Sequence, residues 1–152
     1  MTPDEVLAYG HQLALGQPGG TLATTHAEDG TPYVTYVLFH LCPDGTVLFG
    51  SGLTPQHTRN LLATPEASFL IDNRETVHTD WNAFDRLVVV GMTEPIRKDS
   101  SDYAPLLEAI RAKSETAATF TERGQLFALR PRRVVLMRGL EPHRHIVELF
   151  SL

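Results

Sequence analysis

Apolar and polar residues along most of this chain follow the two-residue period of β-strands and change to helical spacing at only a few places. Between Pro32 and Leu41, Tyr33, Thr35, Val37 and Phe39 share one face while Val34, Tyr36, Leu38 and His40 share the other. Both sets are largely apolar, which predicts a strand covered on both sides, as in a small barrel. A strand over Thr21 to His26 turns into it through Glu28, Asp29 and Gly30, and Pro43, Asp44 and Gly45 turn it into a third, Thr46 to Phe49. The spacing predicts an antiparallel meander. Glu66 to Asp72 and Arg86 to Glu94 read as further strands, the second limited by Pro95. Gln125 to Leu129 and Arg132 to Met137 form one long strand, bulged or interrupted by proline, and Ile146 to Phe150 supplies a final edge.

Helical signals flank this pattern. Thr2, Pro3, Asp4 and Glu5 open a helix with Val6, Leu7, Leu13 and Leu15 on its apolar side, ended by Gly16. Tyr103, Leu106, Leu107 and Ile110 recur at helical spacing between Asp102 and Lys113, and a short helix covers Glu115 to Phe120. Asn73 to Asp85 has charges, Trp81 and no periodicity, so it is expected as a long surface loop. His40 is expected at a strand end with its ring in water. The fold class is mainly β with flanking helices, in a single domain over residues 1–152.

Gly50 to Pro65 gathers groups that a packed core does not need. Thr54 suits an N-cap and Pro55 the first helical position, which leaves free amides near Gln56 and His57 facing an anion. Ser51, Thr54 and Thr58 offer hydroxyls, His57 an imidazole and Arg59 a guanidinium, a set matched to one phosphate. The helix stops ahead of Pro65.

Composition narrows the ligand. A net charge of -5 disfavours nucleic acid and anionic membrane as partners, so the anion should be small. One cysteine, Cys42, allows no intrachain disulfide. Asp4 and Glu5 stand where a signal peptide would be basic, and no apolar run approaches a membrane span, so a soluble cytoplasmic protein is expected. The glycines at 50 and 52 complete neither a nucleophile elbow nor a dinucleotide fingerprint, and no metal site is expected from His143 and His145. Catalysis would therefore rest on a bound cofactor.

In order and spacing, Gly20 to Thr24, Asp29 to Thr35, Leu48 to Ser51, His57 to Leu61, Thr64 to Ser68 and Arg86 to Gly91 resemble the FMN-binding split-barrel proteins. These include the pyridoxamine 5′-phosphate oxidase-like flavoproteins, and the run from His57 to Leu61 is most similar to the haem-utilisation branch. The resemblance is firm from Gly19 to Glu94 and weaker through Phe127 to Pro131. It implies a six-stranded Greek-key split barrel that forms a homodimer with FMN between the subunits. It further implies that Ser51, Thr54, His57, Thr58, Arg59 and Asn60 hold the phosphate and ribityl chain, that Thr35 and Tyr36 lie along the isoalloxazine, and that Trp81 and Arg86 reach the partner's flavin. Relatives that degrade haem carry further carboxyl-terminal sequence, and Asp85 with Arg86 replaces the Arg-Gln pair of the vitamin oxidases; neither haem degradation nor vitamin oxidation is expected. The resemblance thus implies an FMN-dependent oxidoreductase for a small organic substrate. The alternative is a protein of the same fold that binds flavin, haem or another tetrapyrrole without turnover, and a third reading replaces FMN by a deazaflavin.

Overall fold

In a computed structural model, which describes residues 1–149, the chain starts as its first residues dictate. Thr2 Oγ1 accepts from the Glu5 amide and Glu5 Oε1 accepts from the Thr2 amide, a reciprocal cap that opens α1 (Pro3–Leu15). Val6 and Ala14 of α1 are buried, but Leu15 is 49% exposed and does not join its apolar side.

The elements that follow are β1 (Gly19–Thr25), β2 (Pro32–Leu38), β3 (His40–Leu41), β4 (Val47–Ser51), α2 (Gln56–Ala63), β5 (Glu66–Asp72), β6 (Asp85–Ile96), α3 (Tyr103–Lys113), α4 (Glu115–Arg123), β7 (Gln125–Arg138) and β8 (His145–Glu148). One eight-stranded antiparallel sheet runs β2-β1-β5-β6-β7-β4-β3, with β8 added beside β7. The long strands make the split barrel expected from the sequence. Two short ones, β3 and β8, raise the strand number above six. Phe150, at the end of the expected last strand, lies outside the described residues.

The two ends of this sheet, β2 and β3, are neighbours in sequence with only Phe39 between them. The sheet therefore curls until its edges meet, and the chain itself steps across the seam. The expected meander is kept only in part: β1 pairs with β2, and His40 and Leu41 pair with the first two residues of β4, but among the described residues β2 itself shares no ladder with β4, whose other edge pairs with β7. The ring of Phe39 fills the interior beside Phe69 at 5.1 Å, and Phe49 stacks on Phe127 at 5.5 Å.

Strand β4 explains its own unbroken apolar run. Val47 and Phe49 point into the barrel, while Leu48 packs in a second core with Leu107, Ile110, Ala117 and Leu126 beneath α3 and α4. The opposite holds for β2, where Val34 is 65% and Tyr36 53% exposed, so its outward face is not covered as the alternation suggested.

Proline behaves differently at its two strand positions. Pro131 stands opposite Gly91 at a register shift in the β6–β7 ladder, the expected bulge; a Cβ on Gly91 would overlap the Arg130 carbonyl. Pro95, by contrast, does not end β6, which continues to Ile96. The ladder with β5 has stopped at Met92 by then, so Pro95 faces a free edge where its missing N–H leaves no gap.

Candidate functional site

The corner between β4 and α2 forms as the local sequence requires, one residue later than expected. Pro55, with φ −58° and ψ 152°, is the N-cap, Thr54 makes no capping bond, and the first helical residue is Gln56. The amides of Thr58 and Arg59 bond to the Pro55 carbonyl, whereas those of Gln56 and His57 have no acceptor among the described residues. These two N–H groups are the free donors of the helix start.

Beneath them runs a chain of side-chain contacts. His57 Nε2 lies 2.7 Å from Ser51 Oγ, Ser51 Oγ contacts Thr58 Oγ1, and Thr58 Oγ1 donates to the Gly52 carbonyl at 2.6 Å. Each of these three contacts receives a hydrogen only if His57 donates to Ser51 and Ser51 to Thr58, rather than Ser51 to the Gly52 carbonyl at 3.3 Å. That arrangement requires a hydrogen on His57 Nε2, which the Nε2–H tautomer of the neutral imidazole supplies. Burial lowers the His57 pKa and favours the same form. The rings and hydroxyls of Ser51, His57 and Thr58 thus brace the corner, and the outward donors are backbone amides.

Asn60 is braced more deeply still. It is fully buried, its Oδ1 accepting from the Ala27 amide at 2.8 Å and from Gln56 Nε2 at 2.8 Å, and its Nδ2 donating to Thr24 Oγ1 at 3.0 Å. It ties α2 to β1. Arg59 stays exposed at the surface, with Nη1 on the Thr54 carbonyl at 2.8 Å and Nη2 on Gln56 Oε1. Of the residues singled out from the sequence, Arg59 and Thr54 offer side chains outward, while Ser51, Thr58 and Asn60 face inward.

A cavity of about 300 Å³ opens beside this corner. Its walls are Tyr36, Val37 and Leu38 from β2, Gly50 and Ser51 from β4, Pro55 and His57 from the helix start, and Ala117 and Phe120 from α4. It therefore occupies the seam of the barrel. A Cβ on Gly50 would overlap Thr121, so glycine there lets α4 press against β4 and roof the slot. Thr35 is half-buried on the inward face and pairs with Leu22, adjacent to the slot but outside its walls.

Sequence reasoning missed Phe120. Its signal was available, since it is the one aromatic residue in a helix whose buried positions are Ala117, Ala118 and Thr121, and it stands 63% exposed.

Trp81 and Arg86 do not line the slot. Trp81 packs edge-on to Phe84 at 5.1 Å beside a hollow of about 280 Å³ that includes Arg74 and His78. The Arg86 guanidinium lies 5.7 Å from the Phe84 ring and donates to the Gly139 carbonyl at 3.2 Å. His40 also departs from expectation: its Nδ1 is buried without a partner among the described residues, and burial, with Lys113 and His11 nearby, lowers its pKa.

A sequence model for pyridoxamine 5′-phosphate oxidase matches residues 11–138. No curated protein matches the chain in sequence. Among solved structures, the haem-binding protein from Mycobacterium smegmatis superposes with a TM-score of 0.79 at 21% identity over 97% of this chain and 59% of that one. The haem storage protein HutZ from Vibrio cholerae gives 0.67 at 23% identity over 82% and 88%, and General Stress Protein 26 from Bacillus anthracis gives 0.69 at 12% identity over 98% and 100%. At these identities the likeness is one of fold.

Proposed function

The chain belongs to the pyridoxamine 5′-phosphate oxidase family, and from that premise we propose that it is an FMN-binding oxidoreductase acting on a small organic substrate as a homodimer. One observation carries the reading: an apolar slot of about 300 Å³ ends at a helix start with two unpaired amides and an exposed guanidinium. The donor set fits a phosphate and the slot fits a flat ring, so the two parts of FMN are matched separately.

The amides of Gln56 and His57, Arg59 and the Thr54 hydroxyl would hold the phosphate, while Ser51, Thr58 and Asn60 keep the helix start in place. Tyr36, Leu38 and Phe120 would line the ring and exclude water. Bound FMN would supply hydride and single-electron chemistry. The only ionisable side chains in the walls are Tyr36 and the half-buried His57, whose ring is held on Ser51 Oγ and whose pKa is lowered by burial, so the chain would mainly orient and shield the cofactor. Val34 and Tyr36, exposed on the outward face of an edge strand, suit burial by a second subunit.

The second reading, a protein that binds flavin or a tetrapyrrole without turnover, draws on how few ionisable groups the walls hold and on the haem-binding and haem-storage names of two structural relatives. Absorbance spectra decide between them. A yellow protein bleached by a reduced nicotinamide donor supports the oxidoreductase; a yellow protein inert to donors, or one that takes haem in preference to FMN, supports the second.

A further inference from the structure

Next to the slot lies a second cavity of about 450 Å³, and the two share Gly52 and Phe120 as walls. Helix α4 builds the rest of it with Glu115, Thr116, Thr119 and Arg123. Thr116, Thr119 and Arg123 fall three and four residues apart, on one face of the helix. Phe120, between the cavities, leaves most of its ring uncovered.

The charges in this cavity are unequal in their commitments. Glu115 is held by Arg111, whose guanidinium also bonds to Glu108 and Glu122. Arg123 has no hydrogen-bond or ion-pair partner among the described residues, and it is the only cation in the cavity wall. A free guanidinium favours a carboxylate, which it can meet with two parallel N–H groups. Close packing of α4 on Gly50 fixes the helix that carries both Phe120 and Arg123.

We propose that this second cavity is the substrate compartment and that it takes a planar organic carboxylate, with its ring against Phe120 and its charge on Arg123. The inference rests on the reading of the adjoining slot as the flavin site. Thr116 and Thr119 supply hydroxyls for a polar ring substituent, and Glu115, a like charge near the anion, limits affinity.

Benzoate and its neutral isostere benzamide test this by calorimetry, on protein with and without FMN, beside a separate FMN titration. Benzoate is expected to bind more tightly than benzamide; Arg123→Gln lowers its affinity by about tenfold to a hundredfold and leaves benzamide and FMN unchanged. Glu115→Gln tightens benzoate, and Phe120→Ala weakens both probes. Equal binding of the two probes, indifference of benzoate to Arg123→Gln, or no benzoate binding at millimolar concentration overturns the proposal. Protein that fails to take FMN yet binds benzoate through Arg123 retains the anion compartment and loses the flavin reading.

Discussion

Glu28, in the turn between β1 and β2, reaches across to α2 and brings its Oε1 to 3.5 Å from Arg59 Nε. Its other oxygen accepts from Gln56 Nε2 at 2.9 Å, and that bond chiefly holds the Glu28 pKa below the usual carboxylate range. A carboxylate thus occupies the neighbourhood that the proposed phosphate would enter. Glu28→Gln is expected to tighten FMN several-fold, and Arg59→Ala to weaken it by about 1.5 to 3 kcal/mol. Riboflavin, which lacks the phosphate, should respond to neither change. Fluorescence titration of both ligands at two salt concentrations checks this; equal affinity for FMN and riboflavin would remove the phosphate corner.

Lys113 presents a pH effect of definite sign. Its ammonium sits 3.7 Å from the centre of the Phe39 ring, buried without a hydrogen-bond partner among the described residues, and burial pulls its pKa from 10.5 to about 8. The unfolded chain binds the proton more tightly between these values, so stability rises with pH from about 8 to 10.5 and is lost as pH falls back through 8. Lys113→Met should remove that slope. Because the stem is partly exposed, the expected gain at pH 7 is about 1 kcal/mol, roughly 2–4 °C in Tm. Denaturant melts at pH 7 and pH 10 give the comparison, and a variant that keeps the wild-type slope would refute the assignment.

Subunit pairing is tested at Val34, which lies on the open face of β2 and is not among the slot walls. Sedimentation of the flavin-loaded protein at micromolar concentration should give a dimer, and Val34→Arg should shift it toward monomer by placing a charge in an apolar contact. A wild-type monomer under these conditions removes the shared-cofactor arrangement.

Trp81 lies outside the walls of its own chain's slot, so the part of any quenching by FMN that depends on subunit pairing would come from the partner's flavin. It is the only tryptophan, and its emission reports one position. Strong quenching on addition of FMN, reduced in Val34→Arg at equal FMN occupancy, is the expected result. Unchanged emission would place the loop away from both cofactors.

Much of the barrel is legible because it is written in short-range terms. Glu66 to Asp72 alternates and forms β5 over the expected residues, and the Thr2–Glu5 cap starts α1. The roles within the corner are less legible. Ser51, Thr58 and Asn60 have the same side chains whether they meet a ligand or their neighbours, and only the approach of β1 to α2 decides that Asn60 is spent on Thr24 and Ala27. Pro95 misleads for a similar reason: whether a strand tolerates proline depends on where the adjacent strand stops. Lys113 over Phe39 joins residues far apart in sequence and leaves no local trace.

The passage of the chain through Phe39 has a mechanical consequence. Every other pair of adjacent long strands is fastened by a ladder, but the walls that carry Leu38 and Gly50 are joined only by the chain through Phe39 and by side-chain packing. Parting them breaks no ladder between the two; it costs the side-chain packing across the seam and uncovers the apolar lining. The ladder is therefore continuous around most of the girth and interrupted along one line. The planar ring of the proposed flavin would enter along that line, where no ladder has to open.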